Sequence, residues 1–214
     1  MTPEMLQWSD YAKILLALLV IVDPLGAIPP FIVMVGSLSE AQKMRIASVA
    51  SMAVAIVLAA AAIIGEALLH FFGITIASFK VGGAILILLM AMSMLQARPV
   101  RDKQTPEEAR EAEDKDSIAV VPLAVPLLAG PGAISAVIIY AAEARGLAHT
   151  LVIVACCLVV GIATWLSLRA ATPVARMLGK TGINIAVRLM GVILAALAVE
   201  IFASGITVLL PGLK

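Results

Sequence analysis

What most constrains this chain is the length of its uncharged runs. Positions 46–65, 81–97, 117–142 and 146–168 contain no Asp, Glu, Lys or Arg, and between 14 and 39 the single charge is Asp23. A helix that crosses a bilayer needs about 20 predominantly apolar residues. Six stretches meet that requirement: 11–37, 45–70, 74–96, 118–142, 147–169 and 184–208. One such run could be a buried helix of a soluble domain. Six in 214 residues could not, because too little chain would be left to cover them. The charged fraction is 14%, against about 25% for a soluble domain. The expected fold class is therefore an all-α membrane protein with six transmembrane helices in contact with the lipid bilayer.

Several function classes drop out early. A net charge of +1 with no basic patch gives no nucleic-acid surface. Cys156 and Cys157 are adjacent, so they do not bridge readily and read as small apolar residues. His70 and His149 lie near expected helix ends without metal-ligand spacing, so neither a metal nor a cofactor is expected. The N-terminal segment lacks a basic region and a small-residue cleavage site, and the first run is expected as a retained helix.

Lys and Arg collect in cytoplasmic loops. Eleven of the fifteen fall in or beside the first, third and fifth loops, leaving Lys13, Lys80, Arg145 and Lys214 on the other side. Both termini are expected on the outer, periplasmic side, with Trp8 and Tyr11 at that interface. The third loop is the one sizeable polar segment. Thr105, Pro106, Glu107 and Glu108 there suit the start of a short solvated helix.

This loop divides the chain into a first three-helix unit (1–97), a charged cytoplasmic linker (98–117) and a second three-helix unit (118–214). The units resemble each other. "GAIP" at 26–29 returns as "GAIS" at 132–135, and "FKVGGAILILL" from Phe79 aligns with "VRLMGVILAAL" from Val187. Lys80 then matches Arg188, and Gly83 matches Gly191. Three spans per unit make the second unit enter from the opposite side, so the repeats are inverted, as in many secondary transporters.

"DPLGAIPP" and "AGPG" fall near the centres of spans one and four. Proline removes a donor and glycine relaxes the backbone, so both helices are expected to break at the midplane. Irregular backbone at that depth survives only when buried in protein or lining a watery cavity. The first half-helices should end near Val22 and Ala129 and offer carbonyls. The second should begin near Pro29 and Ala133 and offer N–H groups to an anion. A site of both kinds suits a small zwitterionic solute such as an amino acid. The expected substrate-binding positions are Asp23, Pro24, Gly26, Pro29, Gly130, Pro131, Gly132 and Ser135.

Asp23 costs roughly 2.5–3.5 kcal/mol at a helix centre, which marks it for an ammonium or for a coupling proton or sodium ion. It equally suits the N-cap of a helix beginning at Pro24, and the two roles are compatible. Lys80 and Arg188, matched across the units, are expected to snorkel, to gate the cavity or to pair with Asp23 or Glu200. Ser135, Ser93, Thr164 and Asn184 are expected to line a path or to bond a neighbouring helix. Small residues such as Gly82 and Gly83 allow helix contacts within or between subunits, so a homo-oligomer is among the expectations.

"DPLGAIPPF", "PLLAGPGAIS" and "GAILILLMAMSML" together resemble the MarC family of bacterial inner-membrane proteins. The resemblance covers nearly the whole chain. It implies a six-helix protein of the bacterial plasma membrane, grouped with neutral amino acid transporters. The leading expectation is a secondary transporter, operating in the export direction on one reading, that works by alternating access. The alternative is a membrane scaffold or assembly protein that transports nothing. An enzyme is not expected: Ser135 is the only tempting nucleophile, and no histidine lies near it at mid-span.

Overall fold

The computed structural model describes residues 5–36, 38–96, 128–144 and 146–213. The expected linker helix at Thr105, the first part of the fourth span, Arg145 and Lys214 lie outside the described residues. Among those described, every regular element is helical: α1 (Trp8–Val22), α2 (Ile28–Val35), α3 (Glu40–Phe71), α4 (Ile76–Leu95), α5 (Pro131–Ala141), α6 (Leu147–Arg169), α7 (Ala171–Leu209) and a final 3₁₀ turn.

Local chemistry sets the boundaries. Ser39 and Gln42 form a reciprocal capping box that starts α3. Thr75 accepts from the Ser78 N–H at 3.1 Å and starts α4. α7 is interrupted at Gly179, whose φ of 64° and ψ of 177° only glycine adopts freely. Among the described residues, four helices are long and apolar enough to cross a membrane: α3, α4, α6 and the part of α7 from Thr181 to Leu209. α1 and α2 are each too short to do so alone, at 15 and 8 residues.

α3 packs along α6, α4 along α7, and α5 against both α3 and α4; α1 leans on α5 and α6. α5 is buried from Gly132 through Ala141 apart from the half-buried Ile134. Tight crossings depend on small residues. A Cβ at Gly161 of α6 would lie 2.7 Å from that of Ala55 on α3, and one at Gly205 of α7 would lie 2.9 Å from the Ala77 carbonyl oxygen on α4. Meanwhile Ile56, Ile63, Leu89, Leu158, Ile162 and Val192 face outward. Contacts through small residues beneath an apolar exterior suit helices solvated by lipid.

Candidate functional site

The first break follows from Pro24. A proline disfavours helical geometry in the residue before it, and Asp23 leaves α1 in the left-handed region (φ 48°, ψ 64°). Asp23 is the only non-glycine residue with positive φ among those described. Aspartate tolerates this conformation better than most residues, at a cost of about 1–2 kcal/mol. Its N–H still donates to the Leu19 carbonyl at 3.0 Å. Its carboxylate Oδ1 accepts from the Gly26 N–H at 3.1 Å. Pro24–Ala27 is thus a turn, and α2 begins only at Ile28. The expectation that Asp23 caps a helix starting at Pro24 is corrected: it closes the turn between two helices. A Cβ at Gly26 would overlap the Asp23 carboxylate, so any side chain there must displace it.

At the second expected break the described residues begin at Leu128, so what they show is a helix start. Gly130 is the N-cap of α5 with an extended ψ of 174°, and Pro131 occupies the first turn, where a missing N–H costs nothing. The Gly130 carbonyl accepts from the Ile134 N–H at 3.1 Å. Leu128 and Ala129 are buried, as are Gly132, Ala133 and Ser135; Pro131 is exposed. Ser135 lies against α4, where a Cβ on Gly83 would come within 3.0 Å of its own.

The two breaks differ in what they offer. At the start of α2 the donors are spent: Gly26 on Asp23 Oδ1, Ala27 on the Asp23 carbonyl, Ile28 on the Leu25 carbonyl and Phe31 on the Ala27 carbonyl. Pro29 and Pro30 have none. The expected anion site near Pro29 is therefore replaced by an acceptor-rich turn around Asp23. Among the described residues no side chain caps the α5 start, where the positive helix end lies. Ala27, Ile28, Leu128, Ala129 and Ala133 all belong to one buried core.

The profile of the MarC family, described as integral membrane proteins, matches residues 8–210. The chain belongs to the MarC family. It is 37% identical over 203 residues to the membrane protein YhcE of Escherichia coli (strain K12), covering 95% of this chain and 94% of that one. A membrane protein of Buchnera aphidicola (subspecies Acyrthosiphon pisum) is 38% identical over 208 residues, with 96% and 95% covered. One from Methanocaldococcus jannaschii is 40% identical over 187 residues, with 87% and 90% covered. No solved structure matches the chain.

This MarC-family chain is thus an integral membrane protein with several apolar helices. The remaining polar residues do not gather at the breaks. Lys80 sits in the second turn of α4 beside Gly205, and its charge acts on Glu143 beyond the end of α5. Arg188 and Glu200 are exposed on α7. The ion pairs among the described residues include Lys13–Asp10 and Lys43–Glu40. Ser93 and Thr164 turn back on their own helices, to the Leu89 and Val160 carbonyls. Asn184 is exposed.

Tyr11 corrects another expectation. Trp8 is 75% exposed, as an interface residue should be, but Tyr11 is only 3% exposed and points inward. Its hydroxyl lies 2.9 Å from Nδ1 of His149, which is fully buried, and the ring's Nε2 lies 3.0 Å from the Tyr140 carbonyl. Sequence reading missed this network. A signal was present: Tyr11, Tyr140 and His149 all fall at span ends on one expected side.

Proposed function

We propose that the chain is a secondary transporter of small zwitterionic solutes, neutral amino acids above all, in a bacterial plasma membrane. Two inverted three-helix repeats alternate around the paired breaks. The observation that carries this reading is the Asp23–Ala27 turn between α1 and α2, set beside the start of α5 at Gly130, two positions that the sequence repeat matches. The Asp23 turn supplies negative charge to an ammonium. The uncapped α5 start supplies N–H groups and a positive helix end to a carboxylate.

Packing supports the repeat. Ala55 and Gly161 differ by 106 positions, the offset of "GAIP" and "GAIS", and they touch each other. Residues matched across a two-fold axis meet only near that axis. The pairing of α3 with α6 and α4 with α7 fits the same symmetry. Chemistry at Asp23 is limited to binding and charge, and no covalent step is assigned to Ser135.

The test is uptake of labelled alanine or glycine by purified protein in liposomes. Accumulation under a proton or sodium gradient is expected. Asp23→Asn should abolish the gradient dependence while leaving the fold intact, because an amide oxygen still accepts from the Gly26 N–H. Absence of accumulation under either gradient overturns the reading and leaves the scaffold alternative. Uptake indifferent to Asp23→Asn removes its role in coupling.

A further inference from the structure

The Tyr11–His149 contact joins positions 138 apart, one in each half of the chain. It lies at one end of the helix bundle, a mouth on the transporter reading, where the start of α1 meets the end of α5 and the start of α6. The hydrogen-bond directions can be assigned. The Tyr140 carbonyl can only accept, so His149 Nε2 carries a hydrogen. The Leu6 N–H donates to the Tyr11 hydroxyl oxygen at 3.3 Å. The hydroxyl hydrogen is then used best on His149 Nδ1, at 2.9 Å. With a neutral imidazole every group in this buried chain has a partner.

The opposite mouth is also tied between the halves, by different chemistry. Trp165 Nε1 on α6 donates to Ser48 Oγ on α3 at 3.1 Å. Neither group titrates in the physiological range. Among the described residues, the tie that contains a histidine lies at one end only.

We propose that His149 is a proton-binding site that latches this mouth: the neutral ring holds α1 to α5 and α6, and protonation at Nδ1 releases it. A proton on Nδ1 turns that nitrogen from acceptor to donor. The Tyr11 oxygen must then accept from both Nδ1 and Leu6, and its own hydrogen loses its partner in a site from which water is excluded. A buried cation has also been created. In the open mouth water satisfies both groups, so the proton binds the open form better, and by linkage it shifts the population that way.

Among the described residues, the charged and titratable groups around the ring are Tyr11 and Tyr140, which bond it, Glu143 just beyond α5, and Asp10, Lys13 and Lys80 further out. Burial pushes the Glu143 carboxyl up, while the nearby Lys80 holds it down. The interpretation of the latch as a transport gate rests on the function proposed above; the latch itself does not.

The experiment places spin labels at Ala12→Cys and Leu147→Cys, both exposed at this mouth, in a Cys156→Ala/Cys157→Ala background. Distances are read by electron double resonance in liposomes at pH 8 and pH 5, the range over which imidazole ordinarily changes charge. A single short distance is expected at pH 8. At pH 5 a longer one should grow by about tenfold in population, the effect of one stranded buried donor. In His149→Gln, whose amide keeps both bonds without titrating, the short distance should persist at both pH values. Identical distances at both pH values in the parent, or a pH response that survives His149→Gln, overturn the proposal. Nitrogen-15 histidine resonances give a second reading that needs no variant, since His70 is the only other histidine. An Nε2–H tautomer at pH 8 is expected, and an Nδ1–H tautomer contradicts the latch. Labels that separate with pH in a protein that accumulates no solute would retire the transporter and keep the latch. Fixed distances in a protein that does accumulate solute would do the reverse.

Discussion

Gly26→Ala is expected to lower the apparent melting temperature of the detergent-solubilised protein by about 5–10 °C. A Cβ at Gly26 would fall on the Asp23 carboxylate. The carboxylate must swing away, and the 3.1 Å bond to the Gly26 N–H goes with it. Losing a hydrogen bond to a charged acceptor and overpacking the turn together cost about 2–4 kcal/mol. The reduced unfolded-chain entropy of alanine offsets less than about 1 kcal/mol. For a chain of this size each kcal/mol moves the midpoint by roughly 2–4 °C. Asp23→Asn should leave the midpoint unchanged, because asparagine accepts the same bond and tolerates the same left-handed backbone. Asp23→Gly combined with Gly26→Ala should recover part of the loss, since the overlapping carboxylate is gone. A Gly26→Ala protein that melts with the parent would show that the turn is not built around this contact.

The second large effect is expected at Gly161. Gly161→Val should cost about 2–4 kcal/mol. Its first carbon would meet Ala55 Cβ at 2.7 Å and the Ser51 carbonyl oxygen at 3.2 Å, and a helical carbonyl cannot yield as a flexible side chain can. α3 and α6 must separate. The Trp165–Ser48 bond one turn further along α6 stretches with them. In lipid such close backbone contact is a main source of helix association. The outward-facing Ile162 next to it should accept valine with little change. Exchange gives a sharper comparison. Gly161→Ala alone should destabilise, and Ala55→Gly/Gly161→Ala should restore most of the loss, because the two positions are repeat partners in mutual contact. A double variant no better than Gly161→Ala would count against a two-fold axis at this crossing.

The sequence revealed some elements closely and others poorly, for physical reasons. α6 is bounded as expected at 147–169, because a glycine precedes an uncharged run that ends at Arg169. The end of α1 at Val22 was legible because proline two residues on excludes further helix. The start of α5 came two residues before the expected Ala133, since proline fits a first helical turn. Asp-Pro is ambiguous in the same way: it suits a helix start or a turn, and Gly26 three residues on decides for the turn. Orientation around each helix was harder to read. On α4 the buried Ala84, Ile87 and Ala91 alternate with exposed Leu88, Leu89 and Met92. Both faces are apolar, so hydrophobic periodicity does not say which one is buried; size is the better guide. Contacts such as Tyr11 with His149 depend on how distant helices meet, and no local pattern encodes that.

A transporter of the proposed kind must open the Asp23–Ala27 turn and the α5 start to water within the membrane. The most direct measurement is labelling of single cysteines at Ala27 and Ala133 with a membrane-impermeant thiol reagent, in vesicles of both orientations and a background lacking Cys156 and Cys157. Both positions are buried here, at 2% and 1% exposure, so reaction reports opening. The expected result is slow labelling at both positions, altered by added alanine. Contradiction would be two cysteines that stay unlabelled from either side under conditions that fully label an exposed loop control at Gly73.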